Sequence, residues 1–98
     1  MLLIRNVFHC KPGQAKVLVK MMKETLAATQ AAGVMSRGRV MTDIASTFWT
    51  VVLETEADSF EAWERESQAM GTRPELRKAM EGYMDLVEGG YREIFKIE

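Results

Sequence analysis

The alternation of apolar and polar positions predicts strands and helices in a regular order along the chain. Residues 2–10 are rich in β-branched, aromatic and aliphatic side chains, which favours a strand. The sequence Lys11-Pro12-Gly13 ends this strand, because proline and glycine interrupt regular structure. Apolar side chains then recur at helical spacing over residues 14–32, which predicts an amphipathic helix that Gly33 ends.

Two further strands are predicted next, joined by a short connection. Residues 34–42 favour a strand, although Gly38 weakens the pattern. Residues 43–46 are typical of a hairpin turn, and residues 46–54 follow as a long apolar run. A strand with one wet face alternates apolar and polar residues. This run instead carries apolar side chains on both predicted sides, with Trp49, Val51 and Leu53 on one side and Phe48 and Val52 on the other.

A helix in two pieces is predicted in the second half of the chain. The sequence Ala57-Asp58-Ser59 supplies capping side chains for a helix that continues through Trp63 towards Met70. Residues 71–74 interrupt it, and a further helical piece is expected over residues 74–87. Its apolar stripe consists of Leu76, Met80, Tyr83 and Val87.

The last predicted element is a strand. Gly89-Gly90 is expected to end the preceding helix, and residues 91–97 are expected to form the strand. Its residues Tyr91, Glu93, Phe95 and Ile97 lie on one predicted face.

This element order predicts an α+β fold. Two split units of strand, helix and strand give the ferredoxin-like βαββαβ arrangement, with a four-stranded antiparallel sheet and helices on one face. We expect one domain over residues 1–98. Because the helices cover only one face and residues 46–54 are apolar on both, we expect a homodimer in which two sheets pack face to face.

The composition is that of a soluble globular domain. The 98 residues are 47% hydrophobic and 28% charged, with a net charge of −1, so we expect neither a nucleic acid nor a membrane as partner. Cys10 is the only cysteine, which allows no disulfide within the chain. The apolar run at residues 1–4 is too short for a signal peptide or a membrane span, and we expect a cytoplasmic location.

The chain resembles the dimeric α+β-barrel superfamily in three features. These are the element order, the sequence Lys11-Pro12-Gly13 after the first strand, and the sequence Ser59-Phe60-Glu61-Ala62-Trp63 after the third. That superfamily includes antibiotic-biosynthesis-type monooxygenases, haem-degrading monooxygenases, NIPSNAP-like proteins and stress-responsive barrel proteins. The resemblance implies two ferredoxin-like subunits packed sheet against sheet. A shared fold does not by itself transmit function.

The resemblance also implies two site residues. Haem-degrading and quinol-oxidising members place an asparagine on the first strand and a tryptophan on the helix after the third strand, both facing a pocket between sheet and helices. Asn6 and Trp63 stand at those positions. Haem-degrading members also need a histidine shortly after that tryptophan, whereas this chain has only Arg73, Arg77 and Lys78 there. Arginine cannot ligate iron because it stays protonated, so we expect no cofactor.

Two interpretations stay open for each of these residues. Asn6 shares a predicted face with Ile4 and Phe8, and a buried amide without partners costs about 1–3 kcal/mol. It either holds a ligand carbonyl or hydroxyl, or bonds to a nearby backbone group or water. Trp63 either stacks on a flat ligand or packs against Phe60 in the core.

Arg77 and Tyr83 complete the candidate ligand-binding residues, and either of them could orient a ligand. Tyr83 either supplies a phenol hydroxyl to a cavity or packs with one end in water. Arg37 and Arg39 either hold an anionic ligand or pair with an acidic residue such as Glu54. The catalytic residues stay unassigned.

The remaining chemically active residues predict no metal site. His9 is the only histidine and the obvious proton carrier, but its mixed strand face favours a surface or interface position. Cys10 points the opposite way, so a Cys-His pair is not expected. Glu61, Glu64 and Glu66 are typical of a solvated helix surface.

Three functions are compatible with these observations. The first is a homodimeric protein that binds a small apolar or aromatic molecule in a pocket between sheet and helices. The second is a cofactor-independent monooxygenase acting on a quinol-like aromatic substrate, with Asn6 stabilising an oxyanion and Trp63 stacking on the ring. The third is a non-catalytic structural or assembly module. A cavity lined by Asn6 and Trp63 favours the first two, and a filled interior favours the third.

Overall fold

The computed structural model describes residues 1–34 and 37–98, and its strands form one antiparallel sheet in the order β2-β3-β1-β4. The strands are β1 (Leu2–Cys10), β2 (Gly38–Thr42), β3 (Thr50–Ala57) and β4 (Val87–Lys96). The helices are α1 (Ala15–Ala31), α2 (Phe60–Thr72) and α3 (Pro74–Ala79), and a 3₁₀ turn spans Tyr83–Leu86. This is the predicted ferredoxin-like α+β fold. Met35 and Ser36, part of the predicted second strand, lie outside the described residues.

Strand β1 is central and pairs antiparallel on both sides. Leu2 lies opposite Ala57 of β3 and opposite Lys96 of β4. Residues that face each other across strands point to the same side of the sheet. Alternate residues of β1 therefore face the helices, and the residues between them face away.

The core lies between the helices and one face of the sheet. Ile4, Cys10 and Val51 are buried on the sheet side. Leu18, Met22 and Leu76 are buried on the helix side. The buried positions of α1 continue along the same stripe with Thr25 and Thr29, whose hydroxyls donate to backbone carbonyls of the same helix at 2.8 Å each.

Local signals in the sequence set the starts of α2 and α3 and the end of α1 as predicted. The hydroxyl of Ser59 caps α2 by accepting a hydrogen bond from the backbone N–H of Ala62 at 3.1 Å. Pro74 begins α3, where its missing N–H costs nothing. Gly33 follows α1 with a left-handed φ of +70°, the conformation that ends many helices.

The predicted strand over residues 46–54 is wrong in its first part, because β3 begins at Thr50. Phe48 and Trp49 belong to a loop of residues 43–49, in which Phe48 is 83% exposed. The backbone N–H of Thr50 donates to the carboxylate of Asp43 at 3.0 Å, and its hydroxyl donates to the carbonyl of Thr47 at 2.6 Å. These local hydrogen bonds close the loop and override the strand propensity of the aromatic residues.

The predicted helix over residues 74–87 is also shorter in the structure. Helix α3 ends at Ala79, and Gly82 takes a left-handed φ of +84° before the 3₁₀ turn. The predicted apolar stripe still points inward, because Leu76 is buried and Met80 and Tyr83 pack against the core. The predicted burial pattern is therefore present although the helix is shorter than predicted.

Gly89 and Gly90 do not precede the last strand as predicted, because both lie inside β4. Gly90 faces Phe8 across the sheet, and a Cβ at this glycine would lie 2.1 Å from the carbonyl oxygen of Val7. Any side chain would therefore separate the two strands. Glycine at this position allows β4 to pair with β1 before Tyr91.

The face of the sheet away from the helices is mixed rather than apolar. Val7 and Val52 lie on it beside the carboxylate of Glu54, whose side chain is only 3% exposed. Glu54 accepts a hydrogen bond from Nε of Arg5 at 2.9 Å and is also bonded by Arg39. Of the two interpretations of Arg39, the structure shows pairing with an acidic residue.

Burial alone would raise the pKa of the Glu54 carboxyl, but the hydrogen bonds from Arg39 and Arg5 outweigh it and hold the pKa below its ordinary value. A lowered pKa in the folded state stabilises the fold above the unfolded-state pKa of about 4.3. This stabilisation is lost as the pH falls through the folded-state value.

We expect Glu54→Gln to lower the free energy of unfolding by about 1–3 kcal/mol near neutral pH, because two arginines lose their carboxylate. Urea denaturation at one fixed protein concentration measures this difference, which should shrink in acid as the wild-type carboxyl is protonated. Glu64→Gln, on the exposed side of α2, is the matched control and should be close to neutral. An equal effect of both substitutions at all pH values would contradict the role of the ion pairs.

Candidate functional site

A cavity of about 940 Å³ lies between the helix-facing side of the sheet and the helices, and it opens to solvent. The sheet contributes its floor, including Phe8 and Leu53. Helix α1 contributes Met22 and Leu26, which follow from the same helical stripe that forms the core. The cavity is therefore an extension of the hydrophobic interior.

All four ligand-binding candidates from the sequence line this one cavity. They come from four separate elements of the chain, β1, α2, α3 and the 3₁₀ turn, and they are Asn6, Trp63, Arg77 and Tyr83. The ring of Tyr83 meets that of Phe8 edge to face, with centroids 6.2 Å apart. The fold thus brings together residues that are up to 77 positions apart in sequence.

Methionine side chains form much of the apolar lining. Among the described residues, four methionines border the cavity, namely Met22, Met70, Met80 and Met84. Methionine is flexible and polarisable, so a methionine-rich wall adapts to ligands of different shape. The hydroxyl protons of Thr25 and Thr29, which also border the cavity, are used within α1 and require no ligand.

Asn6 accepts a hydrogen bond from an arginine that was not predicted as a site residue from the sequence. Arg92 lies opposite Asn6 in the β1–β4 pairing, and its Nε donates to Oδ1 of Asn6 at 2.6 Å. Arginine has donors only, so the amide atom that faces it must be the oxygen. The amide nitrogen of Asn6, for which the described part of the chain provides no hydrogen-bond partner, remains free to donate.

Trp63 contacts Phe60, which is itself half exposed, and stacking of Trp63 on a ligand stays a prediction. Its ring packs against Phe60 edge to face, with centroids 5.3 Å apart, and it also borders the cavity. The guanidinium carbon of Arg92 lies 5.3 Å from the centroid of the Trp63 ring, which is a cation–π contact. Asn6, Arg92 and Trp63 are therefore physically connected along the cavity wall.

The alternation of the last strand was the sequence signal for Arg92. Tyr91 and Glu93 were assigned to one face, so Arg92 between them had to lie on the other, the face of Asn6. Strand order was needed to place it beside Asn6, because residues 86 positions apart carry no local sign of contact.

Glu66 also lines the cavity, although the sequence analysis assigned it to a solvated surface with Glu61 and Glu64. It lies one helical turn after Trp63, and this spacing was the available signal. Burial raises the pKa of the Glu66 carboxyl, the charge of Asp58 raises it further, and Arg65 opposes both. A carboxyl with a raised pKa in a cavity is a candidate for proton exchange with a ligand.

The cavity contains no imidazole. His9 lies on the opposite face of the sheet, where its Nδ1 is 3.5 Å from the hydroxyl of Thr50. Haem held by a histidine therefore does not fit this cavity, since His9 is the only histidine of the chain. Cys10 is buried in the core, and burial raises the pKa of its thiol, which makes it unreactive.

No group of three histidine, cysteine, aspartate or glutamate side chains comes together as a metal site within residues 1–34 and 37–98. Over the same ranges, no helix is both long enough and apolar enough to cross a membrane.

No protein-family model and no curated protein matches the sequence, but solved structures share its fold. A NIPSNAP domain protein from Burkholderia xenovorans superposes with a TM-score of 0.83 at 13% identity, over 100% of this chain and 95% of that chain. A NIPSNAP family protein from Agrobacterium tumefaciens gives 0.84 at 11% identity, over 99% and 92%.

A structure described as an antibiotic biosynthesis monooxygenase is also similar. It superposes with a TM-score of 0.77 at 11% identity, over 100% of this chain and 99% of that chain. At such low identities the likeness establishes the fold and not the activity. This chain therefore has the ferredoxin-like fold shared by NIPSNAP domain proteins and antibiotic biosynthesis monooxygenases, as the resemblance in its sequence predicted.

Proposed function

We propose that the protein binds a small apolar or aromatic molecule that carries a hydrogen-bond acceptor, in the cavity between sheet and helices. The observation that carries this proposal is the contact of Asn6 with Arg92 on the wall of a largely apolar cavity. The two side chains together offer a ligand more hydrogen-bond donors than acceptors.

The apolar lining suits the body of such a ligand. A volume of about 940 Å³ lies within the range of small-molecule sites, which is roughly 300–1,000 Å³. The ring of Trp63 offers a flat surface for stacking, and the methionines offer an adaptable wall.

The donors of Asn6 and Arg92 suit the polar group of the ligand. Oδ1 of Asn6 already accepts one hydrogen bond from Arg92, and the amide N–H groups of Asn6 point to no protein acceptor among the described residues, so donors predominate. The guanidinium of Arg92 has no carboxylate within ion-pair distance among the described residues, and its charge favours an electron-rich oxygen. A carbonyl, a phenolate or a carboxylate fits this arrangement better than a group that can only donate.

The cavity also counts against the assembly module. That function predicts an interior filled by methionine and aromatic side chains, whereas four methionines border an open space. A protein that serves only as a scaffold gains nothing from such a space, because voids cost packing energy.

We expect menadione, a bicyclic quinone, to bind more tightly than methylnaphthalene, which has a similar ring system without carbonyls. Asn6→Ala should weaken menadione binding about tenfold, the equivalent of about one hydrogen bond, and leave methylnaphthalene binding unchanged. The indole N–H resonance of Trp63, assigned with Trp63→Phe, reports occupancy of this cavity in an NMR titration.

Glu93→Gln, on the opposite face of the sheet, is the control and should bind menadione as the wild type does. Equal menadione affinity in wild type and Asn6→Ala would contradict the proposed role of the hydrogen-bond donors. Native mass spectrometry of the purified protein then identifies the class of ligand that it carries from the cell.

A cofactor-independent monooxygenase is the second candidate function, and the same donors favour it. An ionisable aromatic substrate such as an anthrone loses a proton and then reduces oxygen itself, so that one oxygen atom enters the quinone product and the other leaves as water. Asn6 and Arg92 would stabilise the substrate oxyanion, and Glu66 at the cavity is placed to accept the proton. The similarity to an antibiotic biosynthesis monooxygenase supports this candidate.

Oxygen consumption with anthrone tests this second candidate. We expect a rate above that of buffer, and a loss of about a hundredfold in Asn6→Ala, the order of effect seen when an oxyanion donor is removed. Wild type and Asn6→Ala behaving alike would exclude a monooxygenase that acts through Asn6. Menadione binding is measured separately, so the binding proposal survives a negative result here.

We also propose that the uncovered face of the sheet pairs with a second copy of the chain. Tyr91 and Phe95 lie on this face and are 55% and 44% exposed. The guanidinium carbon of Arg5 lies 5.6 Å from the centroid of the Phe95 ring, next to the buried carboxylate of Glu54. A second copy would remove this aromatic surface from water, and the ion pairs would fix its orientation.

Analytical ultracentrifugation at micromolar concentration should show a dimer for the wild type. The double substitution Tyr91→Glu and Phe95→Glu should give a monomer, because it places like charges across the contact. Phe48→Glu changes an even more exposed aromatic residue outside the sheet, and this control should remain dimeric. A monomeric wild type would refute the pairing.

A further inference from the structure

A second cavity, of about 800 Å³, lies on the other side of α1 and is separate from the cavity lined by Asn6. We call it the α1–loop groove. One wall is formed by Phe48 and Trp49 of the loop at residues 43–49. The opposite wall is formed by α1 and carries three lysines, Lys16, Lys20 and Lys23.

The backbone of Trp49 is held in an unusual conformation. Its φ is +60°, in the left-handed region that bulky side chains rarely adopt. The carbonyl of Trp49 accepts a hydrogen bond from the backbone N–H of Cys10 at 2.9 Å, and Asp43 closes the loop by accepting one from Thr50 at 3.0 Å. The surrounding structure therefore imposes this strained backbone conformation, and the side chain of Trp49 borders the groove.

The three lysines occupy one stripe of α1, because they follow each other at intervals of four and three residues. None of them has a carboxylate within ion-pair distance in residues 1–34 and 37–98. Glu24 and Asp43 also border the groove, and the Asp43 carboxylate already accepts the hydrogen bond that closes the loop. Three ammonium groups thus outnumber two carboxylates in a chain whose net charge is −1.

We propose that the α1–loop groove is a second ligand site and that it binds an aromatic anion. The ring of the ligand lies against Trp49 and Phe48, and its carboxylate, sulfonate or phosphate lies among the lysine ammonium groups. The aliphatic stems of the lysines and Val19 complete the apolar surface. The apolar wall alone would accept any aromatic molecule, and the lysines select a charged one.

Naphthoate and naphthamide test this proposal, because they share a ring system and differ in charge. The protein has two tryptophans, so its indole N–H region contains one resonance from Trp49 and one from Trp63, which Trp63→Phe assigns. We expect naphthoate to shift the Trp49 resonance with a dissociation constant about tenfold below that of naphthamide. The triple substitution of Lys16, Lys20 and Lys23 by Gln should remove this difference.

Lys78→Gln is the control, because Lys78 borders the other cavity and should leave the Trp49 titration unchanged. Added salt should weaken naphthoate binding and leave naphthamide binding unchanged. The proposal is overturned if naphthamide binds as tightly as naphthoate, or if the triple variant binds naphthoate as the wild type does. It is also overturned if phosphatidylglycerol vesicles shift the Trp49 resonance and naphthoate does not, since the groove would then be a lipid contact.

Discussion

The antiparallel pairing of β1 with β3 and β4 is the constraint on which the rest of the structure depends. It places Arg5 opposite Glu54 and Asn6 opposite Arg92, although these partners are far apart in sequence. Because successive residues of a strand point to opposite faces, Arg5 and Asn6 lie on different faces of the sheet. Arg5 helps to bury a carboxylate on the uncovered face, and Asn6 supplies a donor to the cavity.

Helix α1 separates and shapes the two cavities. Its buried stripe, which includes Met22 and Thr29, closes the cavity that holds Asn6. Another side of the same helix carries Lys16 and Lys20 into the α1–loop groove. One amphipathic helix therefore gives each cavity a different character, apolar with donors from the sheet in the first and cationic with aromatic residues in the second.

Arginine has different roles on the two faces of the sheet. On the uncovered face, Arg5 and Arg39 are used to neutralise Glu54, and they lower the pKa of its carboxyl. At the cavity, Arg92 bonds to a neutral amide and to an aromatic ring, so its charge is not neutralised by an acidic side chain of the described chain. The charges of Arg5 and Arg39 are therefore balanced within the protein, whereas the charge of Arg92 is left to attract an electron-rich group.

The order of the elements, the helix caps at Ser59 and Gly33, and the face of β1 on which Asn6 lies could all be predicted from the sequence alone. These features follow from periodicity and from capping chemistry, which act between neighbours a few residues apart. The family resemblance supplied the choice of Asn6 and Trp63 as site residues. In the folded chain, Arg77 and Tyr83 line the same cavity as these two residues.

Three features depend on contacts between distant segments, namely the partner of Asn6, the position of Glu66 at the cavity and the start of β4 at Val87. The close approach of Val7 to Gly90 explains the early start of β4, and this approach exists only once the two strands pair. Trp49 belongs to a loop and not to a strand because hydrogen bonds from Thr50 to Asp43 and Thr47 close the loop before β3. Local patterns specify which residues turn inward, but contacts between distant segments specify what each residue meets there.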